Sequence, residues 1–139
     1  MSTRSNLRPQ PVIGTVNGVN SGVSGAMTGN ITSVPTILQS LTNGTYTYNW
    51  SGTSPVGAIS IQISNDYQLS QSGEVANAGT WTTIYFTLNG SSVVNSAPVT
   101  GNTGTGAIEW SSGAYAIRTL YTFTSGTGTL QAVISGKVA

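Results

Sequence analysis

The sequence predicts an all-β protein: a two-layer antiparallel β-sandwich, jelly-roll-like or immunoglobulin-like, with an extended N-terminal arm. Three observations predict it. Apolar and polar residues alternate with period two in several segments. Gly, Asn, Ser and Thr crowd the intervals between those segments, where they favour turns. No segment carries the apolar stripe of period 3.6 that a packed helix needs. The chain has 139 residues, 37% of them apolar, enough for one domain with a real core.

Residues 1–40 read as the arm and residues 41–139 as the sandwich. Pro9 and Pro11 favour an extended start, and Gly14, Gly18, Gly22, Gly25 and Gly29 disfavour a helix. Val12, Ile13, Val16 and Val19 are isolated apolar residues suited to docking on a neighbouring surface, and one or two short strands are expected by Ile31. Ordering such a segment costs about 1–2 kcal/mol per residue for the backbone alone, so it needs a surface to lie on.

From Leu41 the strand signals begin. Tyr46, Tyr48 and Trp50 alternate with Thr47 and Asn49, and Ile59, Ile61 and Ile63 alternate with Ser60 and Gln62. In the stretch 81–88, Ile84, Phe86 and Leu88 face the core and Tyr85 faces outward. Asn89-Gly90 is a strong short hairpin signal leading into Val93 and Val94. Ala114 to Thr124 reads as the longest strand, with Tyr115, Ile117, Tyr121 and Phe123 on one face. Ser125-Gly126-Thr127-Gly128 is expected to turn it back into Leu130, Ala132 and Ile134 as a closing hairpin. Seven or eight strands result.

Charge is scarce. Four basic and three acidic side chains leave a net charge of +1, where an ordinary soluble domain is about a quarter charged. Little repulsion keeps copies apart, which favours association. Nucleic-acid binding needs several clustered Lys or Arg, and Arg4, Arg8, Arg118 and Lys137 are scattered from end to end. The chain has no cysteine and no histidine, which removes disulfides, thiolate zinc sites and the commonest general base. The first eight residues lack the apolar run of a secretory signal, and no run approaches membrane-spanning length, so synthesis in a cytoplasm is expected. Sequons at Asn30, Asn43, Asn49 and Asn89 are then read as chance in a chain rich in Asn, Ser and Thr.

Catalysis finds few candidates. Asp66, Glu74 and Glu109 are the carboxylates, and nothing in their spacing makes a glycosidase pair. Asp66, in Ser64-Asn65-Asp66-Tyr67 at a strand end, reads as a turn cap. A calcium loop lacks its spacing. Gly101 to Gly106 lacks the GK[ST] and the following helix of a phosphate loop, and reads as a loop. Arg118 is expected on a polar sheet face or paired with Glu109 or Asp66. The reading is a non-enzyme with no catalytic residue, cofactor or metal. Tyr67, Trp81 and Tyr85 are the aromatic residues expected at the surface, where they could stack on a host glycan.

Several stretches together resemble small β-sandwich structural proteins of bacteriophage virions, of the capsid decoration or spike type. These are Gly29-Asn-Ile-Thr-Ser33, Ser54-Pro-Val-Gly57 leading to Ile61-Gln-Ile-Ser-Asn-Asp-Tyr67, Ala78-Gly-Thr-Trp81, and the ending Tyr115-Ala-Ile-Arg118, Thr124-Ser-Gly-Thr-Gly-Thr-Leu130 and Gly136-Lys137. The resemblance covers about residues 29 to 139 and brings no catalytic residues with it. It implies a virion location, with the major capsid protein or other virion proteins as partners, and favours a homo-oligomer, a trimer first. The arm, with Arg4, Arg8, Val12, Ile13, Val16 and Val19, is then the expected contact to capsid or neighbour. A carbohydrate-binding module for host attachment is the alternative.

Overall fold

The computed structural model describes residues 6–12, 14–16, 19–20, 25–38 and 41–137. Their strands, in chain order, are β1 (Asn6–Pro11), β2 (Gly14–Val16), β3 (Val19–Asn20), β4 (Gly25–Ala26), β5 (Ile31–Ser33), β6 (Thr36–Ile37) and β7 (Asn43–Ser64). There follow β8 (Gln68–Leu69), β9 (Val75–Asn77), β10 (Thr82–Ile84), β11 (Phe86–Leu88), β12 (Ser92–Val94), β13 (Ala97–Val99), β14 (Thr103–Ser111) and β15 (Ala116–Lys137). The described residues contain no helix, and the all-β, sandwich-like expectation holds.

Two strands of 22 residues each, β7 and β15, run antiparallel from Asn43↔Lys137 to Ser64↔Ala116 and form the middle of both layers. In the front layer, the first half of β7 and the last half of β15 are flanked by β14, β11 and β12 on one side and by β1 and β4 on the other. In the back layer, β10 and β13 pair with the second half of β7. On the far side of that layer β5 and β6 pair with the first half of β15, and β2 and β3 follow. β8 and β9 form a separate small hairpin.

The ribbon bends where two residues adopt left-handed backbone: Ser54 at φ 46° and Gly126 at φ 87°. Pairing shifts there, between Phe123 and Thr127. Each such residue breaks the pleat, and the inward parity reverses beyond it. In β7 the even residues Tyr46, Tyr48 and Trp50 are buried before the bend, and the odd residues Ile59 and Ile61 after it. β15 changes from Ile117, Thr119 and Tyr121 to Leu130, Ala132 and Ile134. Asn102 secures the bend, its side-chain oxygen accepting from Ser54 N–H (2.8 Å) and its carbonyl from Gly52 N–H (2.8 Å). Ser125 to Gly128 is therefore a bend within one paired strand and not a hairpin turn. The expected closing hairpin is absent, and Leu130 pairs with Trp50 instead.

The two layers share one core, drawn from Tyr46, Trp50, Ile108 and Ile134 in front and Ile59, Val99, Ile117 and Tyr121 behind. Tyr46 is fully buried and hydrogen-bonds Thr119 across the layers, and burial raises its hydroxyl pKa to about 12. The stretch expected as a loop at Gly101–Gly106 belongs partly to β14. Gly104 faces Trp50, and Gly106 faces Tyr48. A Cβ at either position would overlap the opposing ring, so glycine here makes room for aromatic side chains across the strand. Tyr115, expected within this strand on the face of Ile117 and Tyr121, lies before β15 and is exposed.

Part of the segment read as the arm packs into this core. Met27, Ile31 and Leu38 are buried in it, and truncating a buried side chain of this size typically costs 2–5 kcal/mol. Removing all forty would therefore consume most of an ordinary domain's 5–15 kcal/mol. β1 adds to the edge of β15, with its register broken between Leu7 and Gln10. Pro9 lies in that break and has no N–H to donate.

Candidate functional site

The residues expected to carry function fall into three places. The arm candidates come first. Arg4 and Ile13 lie outside the described residues. Arg8 belongs to β1, Val16 to β2 and Val19 to β3. Val12 is half-buried against the core, its N–H donating to Ala132 O (2.9 Å).

The second place is the turn after β7. The Ser64 hydroxyl donates to Asp66 Oδ1 (2.7 Å) and accepts from the Tyr67 N–H (3.2 Å). Thr80 N–H donates to the same Asp66 oxygen (2.7 Å), and Asn65 Oδ1 accepts from Tyr115 N–H (3.0 Å). Asp66 thus ties residues 64–67 to the loop before β10, as the capping reading expects. The Thr80 N–H, with the Ser64 hydroxyl second, holds its carboxyl below the ordinary aspartate range.

This knot decides the fate of two aromatic candidates. Tyr67 is 5% exposed, which overturns its assignment to the surface. It is covered by Trp81, whose ring centroid lies 5.7 Å away. Trp81 is half-buried, its indole N–H donating to Ala78 O (2.8 Å). Arg118 Cζ lies 4.4 Å from the Trp81 ring centroid, and its Nε donates to Gln62 Oε1 (2.9 Å). Arg118 thus lies on a sheet face beside Gln62, the first of its two expected placements. A ring packed by tyrosine and covered by guanidinium has little face left for a ligand.

Tyr85 is different. It sits between β10 and β11, where the chain crosses from back layer to front, and is 66% exposed. It lines a cleft of about 620 Å³ on the outer face of the front layer with Thr45, Thr87, Val93, Glu109 and Lys137. A second cleft of about 670 Å³ lies on the same face, lined by Thr47, Asn49, Thr105, Gln131 and Val133. Register places Val93, Thr87, Glu109, Thr45 and Ser135 in one row across five strands, with Thr45 Oγ1 and Ser135 Oγ 3.0 Å apart. Val93 is 70% exposed, and among the described residues no hydrogen bond or ion pair occupies the Glu109 carboxylate. Sequence reasoning missed this groove. Its one legible sign is the outward parity of Thr45, Thr47 and Asn49 opposite the aromatic face. Among the described residues no group of three or more carboxylates, His or Cys could hold a metal.

No protein-family model matches the chain, and no curated protein matches it. Among solved structures it is similar to the crystal structure of the SPBc2 prophage-derived protein YomS, with a TM-score of 0.54 at 13% identity over 80% of this chain and 86% of that one. A fainter likeness, TM-score 0.38 at 9% identity, is to the CBM22-1–GH10 modules of Clostridium thermocellum endo-1,4-beta-D-xylanase 10B complexed with xylohexaose. It covers 96% of this chain and 26% of that one. At these identities the YomS likeness shows a shared sandwich fold.

Proposed function

We propose that the chain is a non-enzymatic structural protein of a bacteriophage particle, a decoration or spike component that assembles as a homo-oligomer, a trimer first. The observation that carries this reading is how the N-terminal segment is held. β1 lies on the edge of the front layer by antiparallel backbone pairing with Val133–Lys137. An edge pairing of this kind is geometrically transferable to the edge of another sheet, as in β-augmentation. A neighbouring copy or the major capsid protein would supply that edge. Two further facts support the reading. The chain carries only seven charged side chains, which favours packing against protein over repulsion, and its fold is shared with a prophage-derived protein.

The test is a truncation. Removing residues 1–40 would also remove Met27, Ile31 and Leu38 from the core, so the informative deletion is residues 1–11. The shortened chain should melt cooperatively yet fail to enter particles when it replaces the full chain. Normal incorporation at the full-length copy number would refute the anchoring role.

A further inference from the structure

We propose that the groove on the outer face of the front layer binds a neutral oligosaccharide. This rests on the groove and not on a particle location. The two clefts lie along neighbouring turns of the same pleat, from Asn43 to Asn49 on β7, a run of roughly 20 Å at strand rise. That length suits several sugar rings better than one.

The lining fits such a ligand in three ways. Tyr85 and Val93 line the same cleft and are exposed, giving apolar surface for the C–H face of a sugar ring. Thr45, Thr47, Thr87, Asn49 and Gln131 present hydroxyls and amides to the same groove, the donors and acceptors that a polyol needs. Glu109 stands between Thr45 and Thr87, its carboxylate unengaged among the described residues, a strong acceptor for ligand hydroxyls.

Other occupants fit less well. A nucleic acid would meet Glu109 in the middle of the groove and one cation, Lys137, at its side, too little positive charge for a phosphate backbone. A protein partner would bring a dry apolar centre over this face and strip water from Glu109. A sugar interface stays wet and keeps that carboxylate hydrogen-bonded.

The experiment is an NMR titration of the isotope-labelled full chain with cellohexaose, chitohexaose and maltohexaose in turn. At least one should give saturable shifts at Thr45, Thr87, Val93 and Glu109. Tyr85→Ala and Glu109→Gln should each weaken that binding at least tenfold. Thr83→Ala, on the back layer, should leave it unchanged. Tyr85 and Glu109 are exposed, and matching thermal melts of the variants would show that folding is intact. The proposal is overturned if no hexasaccharide shifts this face, or if both variants bind as tightly as the parent. It is also overturned if the face shifts with protein concentration alone, which would mark it as a contact between copies.

Discussion

Gly106 offers a sharp test of how the front layer is packed. It pairs with Tyr48, and a Cβ there would overlap the Tyr48 Cζ and hydroxyl. The ring cannot simply swing aside. It is buried, lies 5.7 Å from Tyr46 and stacks on Trp50 at 6.0 Å and 17°. Trp50 is itself pinned by its Nε1–H donating to Gly101 O (3.1 Å). Forcing a methyl into a packed core typically costs 1–3 kcal/mol. Replacing a strand glycine by alanine returns about 0.5–1 kcal/mol in backbone entropy. Gly106→Ala should therefore destabilise the protein by about 1–2 kcal/mol. In a Tyr48→Leu background the overlap is gone, so the same change should stabilise by about 0.5–1 kcal/mol. The coupling is then about 1.5–3 kcal/mol, measured by urea unfolding of the four proteins in a double-mutant cycle. If Gly106→Ala has the same effect in both backgrounds, the aromatic–glycine packing is wrong.

Four other expectations follow from the same structure. Gly126→Ala places a side chain at φ 87° and against Ser54 O, and strain plus overlap should cost about 2–4 kcal/mol. Gly113, with open space around it, should accept alanine without loss in the same thermal melts. Asp66 has a folded pKa below its ordinary value, so its stabilisation is present above the unfolded pKa and disappears as pH falls through the folded one. Melting temperature should drop below about pH 4, and Asp66→Asn should lower the neutral-pH value and flatten that acid limb. Tyr46 is raised from 10 to about 12, so stability is full below pH 10 and lost as pH rises toward 12. The loss is about 3 kcal/mol from this residue, and Tyr46→Phe should reduce the alkaline slope by one proton in pH-dependent urea titrations.

Much of the sandwich is legible in the sequence because alternation is local. Tyr46, Tyr48 and Trp50 are buried as their period-two pattern requires, as are Ile59, Ile61 and Phe86. Asn89 and Gly90 turn β11 into β12 with φ of 53° and 73°, as the hairpin signal expects. The failures share one cause. Ser125-Gly126-Thr127-Gly128 carries the residues of a turn, and only the pairing of β7 with β15 over their full length makes it a bend. Gly104 and Gly106 look like a loop until Trp50 and Tyr48 are placed across from them. Tyr67 is buried by Trp81, fourteen residues on, through a knot of hydrogen bonds centred on Asp66. The groove is further from view, since it depends on the register of five strands, and only the hydroxyl-rich outward face of its middle strand can be read directly.

The shared ribbon of β7 and β15 underlies both layers, the outer groove and the edge that receives β1. Nuclear Overhauser contacts between backbone protons test it most directly. Leu130 should lie beside Trp50 and Tyr121 beside Ile59, with contacts continuing on both sides of Gly126. Cross-strand contacts between Phe123 and Leu130, the signature of a hairpin closed at Ser125–Gly128, would contradict it.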